Sequence, residues 1–322
     1  MEVLIGIISA FFFAFTFVLN EWMVTTGGHW LWSASLRFLF MLPMMMGLCT
    51  LSKSSLSRIF YVLKDRPWPW FLYSQIGFGA FYIPLCFASS FAPGWLVAST
   101  WQLSIVCGTL LIPLIRENPN QKIDPRDFIY FAIILLGIFL IESVHMKATG
   151  LHTVLIGIGS ILIACFAYPL GNRKIMMENE KYGHLNAIER TTAMTMMSLP
   201  TWILTSIVAL FVYGPPPKGQ LYSGAIVAFS SGIIATTLFF KATQMVSHDM
   251  RRLASVEATT SFEIIFSLVL GMFLLGNPIP STVEMVGMAI VMIGVVAKSL
   301  AAGFTLSEKE KMPLKKVSPH DQ

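Results

Sequence analysis

The chain has 322 residues, of which 55% are hydrophobic and only 12% charged, about half the charged fraction of a soluble domain. With a mean hydropathy of +0.69 and apolar runs of about 20 residues recurring from end to end, an ordinary soluble enzyme is excluded. A net charge of +5 would suggest a nucleic-acid partner in a soluble chain, but here the basic residues fall in alternate loops, so the charge is a topology signal and implies no nucleic acid.

Apolar runs bounded by charge, Gly or Pro predict spans over 3–24, 30–50, 69–90, 94–115, 127–144, 150–171, 187–213, 221–246, 253–276 and 281–302. Ten helices of about 21 residues use about 210 residues, which leaves no room for a folded soluble domain. The chain opens on Glu2 and runs apolar to Leu19, without the basic start of a signal peptide, so the first segment reads as a retained helix.

Lys53, Arg58, Lys64 and Arg66 follow the second run, Arg116, Lys122 and Arg126 the fourth, and Arg173, Lys174 and Lys181 the sixth. Arg251 and Arg252 follow the eighth, and Lys309, Lys311, Lys315 and Lys316 lie in the tail. The opposite loops offer Lys147 and Lys218. The positive-inside bias therefore predicts a multi-pass plasma-membrane protein with both termini cytoplasmic.

The second half aligns with the first. Gly6, Ile7, Ser9, Phe15 and Leu19 match Gly157, Ile158, Ser160, Phe166 and Leu170 at one offset. Arg37 matches Arg190, Leu72-Tyr73-Ser74 matches Leu221-Tyr222-Ser223, and Ala98-Ser99 matches Ala254-Ser255. Five spans per copy is an odd number, so the second copy enters from the opposite side, an inverted-topology repeat of the kind that supports alternating access. The expected organisation is an all-α integral membrane protein of ten transmembrane helices: a first five-helix repeat over 1–148, a second over 149–302 and a basic cytoplasmic tail over 303–322.

A charge at bilayer depth costs at least a few kcal/mol and is kept for a function or a buried partner. Glu263, about eleven residues into span nine, is the deepest acid. Its repeat counterpart is Gln102, and each follows an aromatic, giving Trp101-Gln102 and Phe262-Glu263. A buried carboxyl can carry a proton or exchange it for a cation, and an adjacent aromatic can hold a cationic or apolar face; the alternative is that Glu263 only fixes packing. Glu257 lies on another face of the same helix, with Arg251 or Arg252 as the expected partner. Glu21 at the end of span one reads either as a solvated acid or as a gate, and Arg37 is deep enough to want a partner such as Glu21. Tyr168-Pro169 is expected to bend or interrupt span six. Gly6-Ala10-Ala14 and Gly224-Ala228-Gly232 form small-residue ridges for close helix packing. The methionines at 41, 44–46, 194, 196 and 197 read as lipid-facing filler.

Cys49, Cys86, Cys107 and Cys165 all fall in apolar runs and read as packing residues. No Walker A or HExxH motif occurs, and no cofactor, bound metal or enzymatic chemistry is implied.

Several stretches resemble a known family. Leu19-Asn20, Gly27-Gly28-His29-Trp30-Leu31-Trp32, Leu36-Arg37-Phe38, Pro93-Gly94-Trp95-Leu96, Thr100-Trp101-Gln102, Tyr168-Pro169-Leu170-Gly171-Asn172-Arg173 and Glu257-Ala258-Thr259 look like the EmrE-like multidrug resistance efflux transporters of the drug/metabolite transporter superfamily. The resemblance covers residues 3 to 302 and implies export of small molecules across the bilayer. The middle of span one holds Phe13, Ala14 and Phe15, so the mid-helix glutamate of the superfamily's four-span antiporters has no counterpart here. The functional expectation is a secondary antiporter exporting small organic molecules or drugs against protons or another coupling ion. The alternatives are a metabolite permease, in which Arg37 binds an anionic group, and a nontransporting membrane scaffold or sensor.

Overall fold

The computed structural model describes residues 1–52, 54–115, 123–246 and 249–311, without the side chains of 250, 251 and 303–311. Every regular element among them is helical. Nine helices of the described residues are long and apolar enough to cross a membrane: Glu2–Thr25, Trp30–Leu51, Pro67–Ala88, Asp127–Thr149, Leu151–Gly183, Ala187–Tyr213, Lys218–Gln244, Arg252–Leu275 and Thr282–Ala302. They cover nine of the ten runs expected from sequence. The run over 94–115 differs, being the three short helices Gly94–Trp101, Leu103–Leu110 and Ile112–Ile115. We keep the name span four for it.

The interruption expected at Tyr168-Pro169 is not found. Leu151–Glu178 is one helix through Pro169, because a proline removes a single backbone bond and a long helix packed on its neighbours absorbs the bend. The basic stretch after span two, expected to be loop, contains a further helix, Leu56–Asp65, capped by the Ser55 side chain, with Ile59, Val62 and Leu63 buried on one side. Span seven starts on a reciprocal cap in which Asn186 and Glu189 each bond the other's backbone N–H, satisfying two donors that a helix start leaves open.

Spans five and ten pack along each other, as do spans two and seven; span one lies against spans eight and nine, and span six against spans three and four. The crossings are close because small residues occupy them. A Cβ at Gly137 would lie 2.7 Å from the Gly287 carbonyl oxygen, so spans five and ten touch backbone to backbone. The expected ridges do the same: a Cβ at Gly6 would lie 2.5 Å from Thr259 Oγ1, and one at Gly232 would lie 2.9 Å from Met41 Sδ. Met41, Met45 and Met194 are buried in the core, which corrects the lipid-facing reading for these three: the first two lie on span two and the third on span seven, and these spans pack along each other. The four cysteines are free and buried.

Candidate functional site

Spans four and nine are broken at mid-depth, and both breaks have a side-chain cause. In span nine Thr259, Thr260 and Ser261 each donate a hydroxyl to the carbonyl three residues back, on Val256, Glu257 and Ala258. That competition with the α-helical ladder tightens residues 259–261 into a 3₁₀ turn before a new helix starts at Phe262. In span four the helix stops at Trp101 and restarts at Leu103, with the buried Gln102 amide donating back to the Ala98 carbonyl at 3.3 Å.

Glu263 stands in the first turn of the restarted helix, about 17 Å along the span from Arg252 at 1.5 Å per residue. It is only 5% exposed. Its carboxyl makes no hydrogen bond or ion pair with the described residues. The positive end of the helix Phe262–Leu275 is the nearest compensation that its position offers.

Tyr168 is 40% exposed yet lies within electrostatic reach of Glu263, Arg37 and Arg190, which come from spans nine, two and seven. Tyr168 thus lies near the charged side chains of three other spans. Trp101 and Phe81 stand beside it, with ring centroids 5.5 and 4.9 Å from that of Tyr168. Glu257 is exposed too, and faces the charges of Arg173 and Lys298. Its expected pairing is corrected: Arg252 instead binds Glu2, at 2.6 and 2.9 Å, and the Arg251 side chain lies outside the described residues. Phe262 joins Phe266, and through it Phe11, so the two aromatic–polar pairs expected side by side belong to different aromatic clusters.

Glu21 is buried. It accepts the Gly94 backbone N–H at 2.7 Å and the Asn277 amide at 2.9 and 3.2 Å. One carboxylate thus ties the end of span one to the start of span four and the end of span nine. Arg37 is not its partner. That guanidinium donates to Thr16 Oγ1 at 3.2 Å and lies 4.4 Å over the Tyr82 ring. Arg190 lies 5.1 Å over the Phe240 ring. A cavity of about 220 Å³ opens between spans two, seven and eight, lined in part by Met45, Thr191, Thr236, Phe240 and Lys241. It does not include Glu263.

Sequence reasoning overlooked Glu142. It is buried in span five and accepts the Thr100 hydroxyl at 2.9 Å, one residue before Trp101. The signal was available, since an acid in the apolar run Phe139-Leu140-Ile141-Glu142 carries the same cost as Glu263. Among the described residues no group of three His, Cys, Asp or Glu could hold a metal ion.

A membrane helix bundle with a buried carboxyl at mid-span has the form of a small-molecule transporter. The family model described as "EmrE: Putative multidrug resistance efflux transporter" matches residues 1–303. The chain belongs to this family, and so to the drug/metabolite type of membrane transporters and not to an enzyme family. It is 39% identical over 310 residues to the uncharacterized protein YjlA of Bacillus subtilis (strain 168), covering 93% of this chain and 94% of that one. It is 40% identical over 266 residues to an uncharacterized 42.1 kDa protein of Shouchella clausii, covering 81% of this chain and 69% of that one. A solved crystal structure superposes with a TM-score of 0.60 at 15% identity, covering 97% of this chain and 99% of that one, a likeness of fold alone.

Proposed function

We propose that this protein is a proton-coupled exporter of small organic molecules in the plasma membrane, working by alternating access between two inverted five-span halves, 1–148 and 149–302, with both termini cytoplasmic. The observation that carries the reading is Glu263: a carboxyl at the middle of a span, buried, and without a hydrogen-bonding partner. A group so placed is tolerated only when it holds a proton or a cationic ligand. Competition of proton and substrate for that one carboxyl couples entry of the first to exit of the second, with Tyr168 and Trp101 as the aromatic wall that receives an apolar or cationic face.

The packing supports the two-half organisation. Exchanging span one with six, two with seven, three with eight, four with nine and five with ten turns the five–ten, two–seven, one–eight and one–nine pairings into themselves or their counterparts, whereas the close nine–ten pairing has only slight contact between four and five as its match. Spans three and eight also each carry a π-helical stretch, Gln75–Gly79 and Ala228–Ala235, and spans four and nine are the two with mid-depth breaks. Glu21 acts here as a latch on the extracytoplasmic side, since releasing Gly94 and Asn277 frees spans four and nine together.

The test is pH-gradient-driven transport of a panel of cationic dyes and metabolites into proteoliposomes, comparing wild type with Glu263→Gln. The expected result is transport by wild type that is lost in the variant. Equal transport by both would remove Glu263 from the mechanism, and no transport of any compound by wild type would favour the scaffold or sensor. A metabolite permease is the second reading, and a specific observation favours it: Arg37 has no counter-ion among the described residues.

A further inference from the structure

Two basic side chains of the described residues are more than nine-tenths buried, Arg37 and Lys298, each 8% exposed. Lys298 is neutralised by Asp127 at 2.8 Å. Arg37 has no carboxylate. Its Nη1 donates to Thr16 Oγ1, which in turn donates a hydrogen bond to Ser231 Oγ at 2.6 Å, and among the described residues its buried Nε has no hydrogen-bond partner. The Tyr82 face 4.4 Å below the guanidinium offsets only part of the cost of burying the ion.

A second orphan donor belongs to the same cluster. Asn20 accepts the Tyr82 hydroxyl at 3.2 Å through Oδ1, and its buried Nδ2 has no partner. Two unsatisfied N–H donors, a full positive charge and an aromatic floor therefore gather around one tyrosine, and none of the groups left open is an acceptor. Water could satisfy the donors but not the charge. A cation is repelled.

We propose that Arg37 and Asn20, over the ring of Tyr82, bind one small anionic group: a chloride ion or the carboxylate of the transported molecule. A guanidinium edge matches a carboxylate in shape and charge, and Thr16 and Ser231 link the site to the π-helical stretch of span eight. The site stands on its own geometry; only its second occupant rests on the transport reading, and it then defines the substrate class as organic acids or zwitterions.

The experiment uses the purified full-length protein in detergent at constant ionic strength, with a bulky organic sulfonate as the reference anion. Sodium chloride and sodium acetate are titrated separately while the melting midpoint is followed. The expected result is a saturable rise of about 5 °C at a hundredfold excess over Kd, abolished in Arg37→Gln and with an apparent Kd about tenfold weaker in Asn20→Ala. The Asn20→Ala variant carries the test if Arg37→Gln does not fold. Saturation by chloride alone assigns a resident halide, and saturation by acetate with competition from chloride assigns a substrate carboxylate. No saturable response to either anion, or a response unaltered in Asn20→Ala, would overturn the site. Because binding is read without transport, failure of the exporter reading leaves this result intact.

Discussion

At one end of the bundle the Glu21 carboxylate bonds the start of span four and the end of span nine. At the other, Asn172 holds the position that the offset between Gly6 and Gly157 aligns with Glu21, and its amide bonds only the Tyr168 carbonyl of its own helix, at 2.9 Å. Beside Glu21, a Cβ on Gly94 would lie 2.7 Å from the Phe17 carbonyl oxygen. Beside Asn172, Gly171 meets span three as closely, since a Cβ there would run into the Gly77 backbone, while Tyr168, Arg173 and Glu257 are exposed. The ties present at this second end, Asp127 with Lys298 and Arg66 with Glu178 at 2.7 Å, join spans five and ten and the flanks of spans three and six. In the proposed transporter the carboxylate at one end gathers the central spans and the amide at the other does not, while charged pairs elsewhere keep the frame together.

The largest expected effect lies in that frame. Lys298→Met leaves Asp127 buried without its partner and costs about 3–5 kcal/mol, read as a fall in melting midpoint; a loss no greater than that of an exposed pair would break the distinction between frame and gate. Next comes the latch. Glu21→Gln removes the charge that gathers Gly94 and Asn277 and weakens the closed end by about 1–3 kcal/mol, with faster hydrogen exchange over 94–98 and 271–277 and little change at Asn172. Uniform loosening of both ends would contradict a local latch.

The smallest effect is at His29, in the turn between spans one and two. Its Nδ1 accepts the Leu31 N–H at 3.3 Å and its ring stacks on Tyr213, and burial holds its pKa below the ordinary value. A lowered histidine pKa means that the unfolded chain takes up the proton first. Its contribution is complete above about pH 6.5 and is lost as the pH falls below that value. The melting midpoint should therefore drop on mild acidification, and His29→Gln should flatten that part of the profile.

Most of the spans were legible because an apolar run of bilayer length has few other uses, and span seven matched its expected limits of 187 and 213. Span four was not legible as a broken helix, because Trp101-Gln102-Leu103 contains neither Gly nor Pro. The break in span nine had a signal in three successive hydroxyl residues, 259–261, each able to bond its own backbone. Pro169, which could bend or break span six, does not break it, since the helix runs on through it. Glu263 could be ranked first from depth alone, but the fate of Arg37 could not. Sequence offers Glu21 as its complement, and only the fold reveals that this carboxylate is spent on Gly94 and Asn277.

The most direct test of the account is the reactivity of a single cysteine at each end toward a membrane-impermeant maleimide, in vesicles of known orientation. The four native thiols are buried. The Asn172→Cys variant should react about tenfold faster than Ser89→Cys at the latched end, and from the cytoplasmic face. Equal rates, or faster reaction of Ser89→Cys, would contradict a cleft open at the Asn172 end and closed by Glu21.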